Sequence, residues 1–239
     1  MQDYAMLADG DRVLVAVSGG LDSLVLAEVL VFWRSRAPID FHLQAMHVDM
    51  APQGGGPGPQ AVQLSQILAG IGLEVKVLPA DWQIPDAAEN TGGICYQCAR
   101  NRRRLLFSYA REHGFTKLAL GHHMDDLLET FLLNLTCSGN LSTMLPRQEL
   151  FSGRLAIIRP LSYLEKAHVD AVAMALGREA VDSPCPMDEQ TRRHDMRELA
   201  TLIYQRIPGA KSNMFAALGN VRAEYLLKPA QQRSGAAVG

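Results

Sequence analysis

No stretch of this sequence is long and apolar enough to span a bilayer: the longest, Leu24 to Trp33, is broken by Glu28. An apolar leader is missing too, because the opening residues, MQDYAMLADGDR, are polar and acidic. Positive charge is not in excess, with 23 Lys and Arg against 25 Asp and Glu and a formal net charge of -2. A chain so balanced meets nucleic acid, if at all, through a local patch. Cysteine is scarce, with 4 in 239 residues, too few for a disulfide scaffold. Together these absences exclude a membrane-spanning or disulfide-stapled protein and predict a globular one in a reducing cytoplasm.

What is present is an alternation of short apolar runs and helical patterns. RVLVAV (12–17), FHLQAMHVD (41–49), LEVKVLP (73–79), KLALGHH (117–123) and LAIIRPL (155–161) read as strands. Helical patterns follow the first four, over about 22–34, 60–69, 99–113 and 125–136, with a Gly/Pro-rich loop at 51–60. Such alternation predicts an α/β fold, a parallel five-stranded sheet flanked by helices, with C-terminal helices after it. The expected division is an α/β domain over 1–163, a helical region over 164–228 packed on the active face, and a flexible tail over 229–239.

Between the first strand and its helix stands SGGLDS (18–23). Two glycines, two hydroxyls and a helix N-terminus at the carboxyl end of a strand suit an anion. The loop carries no lysine and is neither GxxxxGK[ST] nor GxGxxG, which disfavours a Walker-type hydrolase. An ordinary glycine-rich turn is the plain alternative. GHHMDD (121–126) is a second strand-to-helix junction, where Asp125 and Asp126 serve either as helix-start residues or as a functional acidic pair. Asp22 beside a phosphate calls for an intervening Mg²⁺.

Cys95 and Cys98 form a lone CxxC, and Cys185 stands apart. Taken alone these fit a zinc half-site, a redox pair or cluster ligands, and zinc with His194 as a further ligand is one option. Cys137 reads as a small buried hydrophobe. Arg100, Arg103, Arg104 and Arg111 share one helical face, and Arg193 and Arg197 another. They suit phosphate contacts or, alternatively, solvated faces paired with Glu112 and Glu198.

SGGxDS followed by GHxxDD resembles the PP-loop pyrophosphatases, which split ATP between its α- and β-phosphates and adenylate an oxygen. The resemblance implies that Ser18, Gly19, Gly20, Asp22 and Ser23 hold the pyrophosphate end of ATP. Gly121 then allows close approach, Asp125 and Asp126 bind Mg²⁺ or order the nucleotide beside Asp22, and the adenosine lies near His47 and Asp49. Leu21 stands where many sulfur-transferring relatives carry lysine, which removes one positive charge near the phosphates.

The stretch from CYQCARNRRRLL through GHHMDDLLETFLLNL, with MLPRQELFSGRLAIIRPLSYLEK and MFAALGNV beyond it, resembles the tRNA 2-thiocytidine synthetase (TtcA-like) family. The likeness runs from about Arg12 to about Leu227. It implies a [4Fe–4S] cluster on Cys95, Cys98 and Cys185, with zinc as the alternative occupant. Where members often have a second downstream CxxC, this chain reads CPMD, with Asp188 in the last place, so three thiolates remain. It further implies tRNA as substrate, touched by Arg100, Arg103, Arg104, Arg193 and Arg197, a cysteine desulfurase as sulfur donor, and a homodimer. The implied reaction adenylates the C2 oxygen of a cytosine and replaces it with sulfur. A different nucleoside or small-molecule acceptor, or a non-catalytic ATP-binding redox sensor, remain the rival readings.

Overall fold

The computed structural model describes residues 2–82, 91–183 and 192–227. Its strands are β1 (Arg12–Ala16), β2 (His42–Asp49), β3 (Val75–Pro79), β4 (Lys117–Ala119), β5 (Arg147–Leu150) and β6 (Leu155–Ile158). The helices are α1 (Leu21–Arg34), α2 (Pro59–Gly70), α3 (Thr91–Glu112), α4 (Met124–Cys137), α5 (Lys166–Ala175), α6 (Arg192–Arg206) and α7 (Ala210–Ala217). The strands form one sheet in the order β3-β2-β1-β4-β6-β5, parallel throughout except for β5, which pairs antiparallel with β6.

β1 shows why its sequence is an unbroken apolar run. Val13 and Val15 face a core built with Leu24, Leu26 and Leu30 of α1, Leu64 and Leu68 of α2, and Val169 and Ala173 of α5. Leu14, one residue out of phase, faces the opposite core with Leu106, Tyr109 and Ala110 of α3. A third, smaller cluster joins Leu132 of α4 to Met196 and Ala200 of α6. Among the described residues, no helix is long and apolar enough to cross a membrane.

The five strands expected from sequence are all present, and the sixth, β5, is an addition. RQEL has no apolar alternation, and as an edge strand it needs none. Phe151, Ser152 and Gly153, at φ of 53°, 57° and 80°, turn it into β6, and two of the three are not glycine. β4 and β6 stop at Ala119 and Ile158, earlier than expected, because the chain leaves the sheet there to build the site. α3 begins at Thr91, so Cys95 and Cys98 lie within the helix and not in a loop before it; Gly92 and Gly93 concealed that start. Cys137 is exposed at the end of α4, which corrects the expectation of a buried side chain.

Candidate nucleotide and sulfur-transfer site

From β1 the chain steps outward to β2 and then β3, and afterwards crosses to the other side of β1 to lay down β4 and β6. The order therefore reverses between β1 and β4, and the carboxyl ends of those strands open a crevice there. SGGLDS leaves β1 at that point and GHHMDD leaves β4, so the two motifs, about a hundred residues apart in sequence, are neighbours. A third junction, from β6 into α5, adds Glu165 and Lys166.

The loop is held from several directions. Ser23 Oγ donates to Gly20 O at 2.8 Å and accepts the Ser18 N–H at 3.1 Å. The Gln60 side chain donates to Ser18 O at 3.3 Å, and the Val181 N–H donates to Gly19 O at 2.9 Å. With these carbonyls engaged, the chain can present amides of the α1 N-terminus to an anion. Gly19 sits at φ +103°, a conformation that L side chains rarely adopt. Gly121 is fixed by crowding: a Cβ there would stand 2.9 Å from Asp22 O and 3.1 Å from Ser23 N, both backbone atoms of α1. The glycine thus lets the second motif touch the first.

Around His123, which is buried, the carboxylates converge. Its Nε2 lies 3.4 Å from Asp126 Oδ2 and 3.7 Å from Asp22 Oδ2, and its Nδ1 3.7 Å from Asp125 Oδ2. The His123 N–H donates to Asp126 Oδ2 at 2.9 Å, so Asp126 also serves the start of α4. Two lysines absent from the sequence expectations complete the cluster. Lys166 Nζ lies 2.5 Å from Asp22 Oδ1 and 3.1 Å from Asp170, and Lys211 Nζ lies 2.7 Å from Asp125 Oδ1 and 2.8 Å from Glu165. Burial works against the charge of Asp125, yet hydrogen bonds from Lys211 and from the Lys166 amide hold its carboxyl below the ordinary range. Burial likewise opposes the charge on both lysines, and their carboxylate partners prevail and raise the pKa of each.

Arg159, buried just past β6, was also missed. It donates Nε–H to His122 Nδ1 at 3.2 Å and a second N–H to Leu145 O at 2.5 Å. Burial brings its pKa down to about 10, so it keeps its proton at neutral pH. Accepting at Nδ1 leaves His122 as the tautomer protonated at Nε2.

At the end of β2, His47 Nδ1 donates to Val17 O at 2.8 Å, and its Nε2 is a buried atom without a hydrogen-bond partner among the described residues. That lone pair suits a hydroxyl or amino donor of a ligand. Asp49 accepts N–H bonds from Gly58 at 2.7 Å and Ala51 at 3.0 Å, and thereby shapes the glycine-rich loop. Burial lowers the pKa of His47 below the ordinary 6.5, and the Val17 carbonyl offsets this only in part. Below that value the unfolded imidazole takes up a proton that the buried one refuses, so stability falls as pH drops and is recovered as it rises. His47→Gln is therefore expected to flatten the stability–pH curve as pH falls below the ordinary imidazole value, by up to about 1.4 kcal/mol per pH unit. Urea melts of both proteins across that range check this; His42, lowered by burial and by Arg12, keeps its own share in the variant.

The remaining expected residues are placed as follows. Arg100, Arg103, Arg104 and Arg111 line one groove of about 520 Å³ with Tyr96, Phe107 and Phe151. Within it Arg104 pairs with Asp81 and Arg103 donates to Ala99 O. Arg197 is turned onto the buried Glu129 at 2.8 Å, joining α6 to α4. His194 faces Glu198 at 3.3 Å. Cys98 is half-buried on α3, one turn after Cys95. Cys185 and the side chains of Cys95 and Arg193 lie outside the described residues.

The glycine–serine loop and the acidic helix start thus face each other across a switch point. Residues 2–202 match a family described as a PP-loop domain. The chain is 38% identical to the tRNA-cytidine(32) 2-sulfurtransferase of Syntrophotalea carbinolica, over 98% of this chain and 91% of that protein. The chain belongs to the PP-loop family, in its tRNA-cytidine 2-sulfurtransferase (TtcA-like) branch. The enzyme of that name from Geobacter sulfurreducens is 36% identical over 97% of this chain and 90% of its own. Among solved structures, the U34-tRNA thiolase NcsA from Methanococcus maripaludis, with its [4Fe-4S] cluster, superposes with a TM-score of 0.71 at 22% identity, covering 95% of this chain and 76% of that one. NAD+ synthetase from Burkholderia pseudomallei gives 0.50 at 16% identity, over 91% and 82%. These likenesses support the PP-loop fold.

Among the described residues, no group of three or more His, Cys, Asp or Glu side chains stands as a ready metal cage. Mg²⁺ does not need one, because it commonly uses one or two carboxylates together with phosphate oxygens and waters. Asp22 and Asp125 offer such oxygens at the crevice. For an iron–sulfur cluster the donor chemistry is right, since Cys95 and Cys98 are spaced one helical turn apart.

Proposed function

We propose that this chain is an ATP-dependent tRNA sulfurtransferase that adenylates the C2 oxygen of a cytidine, the one at position 32, and exchanges that oxygen for sulfur. The observation that carries this reading is the meeting of SGGLDS with GHHMDD at the switch point, fixed by the contact of Gly121 with the α1 backbone. Ser18, Gly19, Gly20 and Ser23 receive the β- and γ-phosphates of ATP, and His47 meets the nucleoside. Asp22, Asp125 and Asp126 would hold Mg²⁺, which would neutralise charge on the phosphates when bound. The C2 oxygen then bonds to the α-phosphorus while the bond to pyrophosphate breaks. Charge on the α-phosphate is stabilised by loop amides set in place beforehand. A sulfur nucleophile next forms the C2–S bond, and AMP departs with the original oxygen.

A [4Fe–4S] cluster on Cys95, Cys98 and Cys185, when bound, supplies the place at which the incoming sulfur is held. The arginine groove on α3 gives tRNA phosphates a local positive surface on a chain whose total charge is slightly negative. Sulfur comes from a cysteine desulfurase, the active species is a homodimer, and the reaction takes place in the cytoplasm. Nucleoside mass spectrometry of tRNA from a strain lacking this protein is the test. Loss of 2-thiocytidine, restored by the gene, supports the proposal; unchanged 2-thiocytidine overturns it.

A further inference from the structure

Lys166 is placed against local preference. It is the first residue of α5, where the helix dipole disfavours a cation. Its amide is tied to Asp125 Oδ2 at 2.8 Å, while its side chain crosses to Asp22 Oδ1 at 2.5 Å. One residue therefore spans both acidic motifs, with a fixed backbone and an ammonium on a flexible four-carbon stem. Helix-start lysines turned toward carboxylates are the kind of local conflict that functional sites retain.

The loop needs such a cation. SGGLDS has Leu21 at its centre and no basic residue of its own, and Asp22 adds a negative charge directly behind it. Asp125, Asp126, Asp170 and Glu165 add more around the crevice. A polyphosphate entering this field is repelled unless a positive charge meets it. Both lysines lie between two carboxylates, but Lys211 is only 21% exposed at its side chain and pairs with no residue of the loop motif. Lys166 is 39% exposed and stands against Asp22, within the loop motif itself.

We propose that Lys166 is a nucleotide-contacting residue whose ammonium shifts from Asp22 to the pyrophosphate end of ATP, supplying from α5 the charge that the loop lacks. The proposal rests on the adenylation reading above. It separates two roles for the same ammonium: direct contact with phosphate, or mere neutralisation of Asp22.

Calorimetric titration with ATP and Mg²⁺, and separately with pyrophosphate, distinguishes them. Lys166→Met is expected to weaken both by on the order of 10- to 100-fold, the worth of a charged hydrogen bond. Lys166→Arg should stay within about threefold of the parent. The deciding comparison is Lys166→Met made in an Asp22→Asn background, titrated with pyrophosphate in the absence of Mg²⁺. A further loss of about tenfold or more relative to Asp22→Asn alone is expected if Lys166 touches phosphate, whereas affinity equal to that of Asp22→Asn alone means that the lysine only masks Asp22 and overturns the proposal. Equal binding by the parent and Lys166→Met overturns it as well. A parent that binds neither ligand overturns the adenylation reading itself. Circular dichroism verifies folding, and Lys166→Gln carries the same expectation should the methionine variant fail to fold.

Discussion

Asp22→Ala is expected to lower ATP-dependent pyrophosphate release by about three orders of magnitude, close to 4 kcal/mol of transition-state stabilisation. The size follows from what meets at this carboxylate. Asp22 opens the helix behind the phosphate loop, its Oδ1 holds Lys166, and its Oδ2 lies 3.7 Å from His123. Its removal takes away the oxygen proposed for Mg²⁺ and the carboxylate that holds Lys166 at the crevice. The fold should survive, because an acidic residue in the first turn of a helix is worth only about 0.3–1 kcal/mol. Stopped-time assays of pyrophosphate with tRNA present, beside a thermal melt, check both halves. Turnover within tenfold of the parent means that the loop does not carry this chemistry.

Cys98→Ser should have an effect as large on a different product. If Cys95, Cys98 and Cys185 hold the cluster as proposed, each is indispensable, because losing one leaves two thiolates to retain it. Protein purified without oxygen is expected to fall from about four irons and four sulfides per chain to below one, and 2-thiocytidine formation to background. Affinity for ATP should change by less than about twofold, since α3 packs on the sheet through Leu106, Tyr109 and Ala110, away from the phosphate loop. Cys185→Ala carries the same expectation. One zinc and no iron in the parent would make these cysteines structural and remove the sulfur half of the mechanism.

The parts legible in the sequence were those with a local cause. β1 and β2 are buried on both faces or nearly so, and their apolar runs announce it, whereas β3 is a half-exposed edge strand whose Lys76 breaks the run. SGGLDS and GHHMDD are compact motifs whose glycines and acids sit side by side. Lys166, Lys211 and Arg159 left no such trace. A lysine ahead of an amphipathic helix resembles any solvated one, and it gains meaning only because β6 lies beside β4 and β4 beside β1. The one available signal was position, since Glu165 and Lys166 occupy the strand-to-helix junction that follows β6, the third of those that meet at the crevice. The start of α3 was hidden by Gly92 and Gly93, and β5 by its polarity, because edge pairing depends on backbone and not on side-chain pattern. Arg197 shows a pairing that sequence cannot supply: its side chain stays 62% exposed while its guanidinium meets a buried carboxylate, Glu129, on another helix.

The reach of Lys166 to Asp22 has a consequence for how the protein matures. The two residues are 144 positions apart, and Tyr4 meets Tyr163 across 159. Contacts so distant in sequence close late, after the loop entropy between them has been met by the sheet. On a ribosome, β1 through β4 emerge and can pair before α5 and α7 exist. The phosphate loop therefore precedes both of its lysines, and a nascent chain holds the acidic half of the crevice without the basic half. If Lys166 meets the polyphosphate as proposed, full nucleotide affinity is expected only once the chain has been made past α5, and a shorter nascent chain binds more weakly through the loop amides alone.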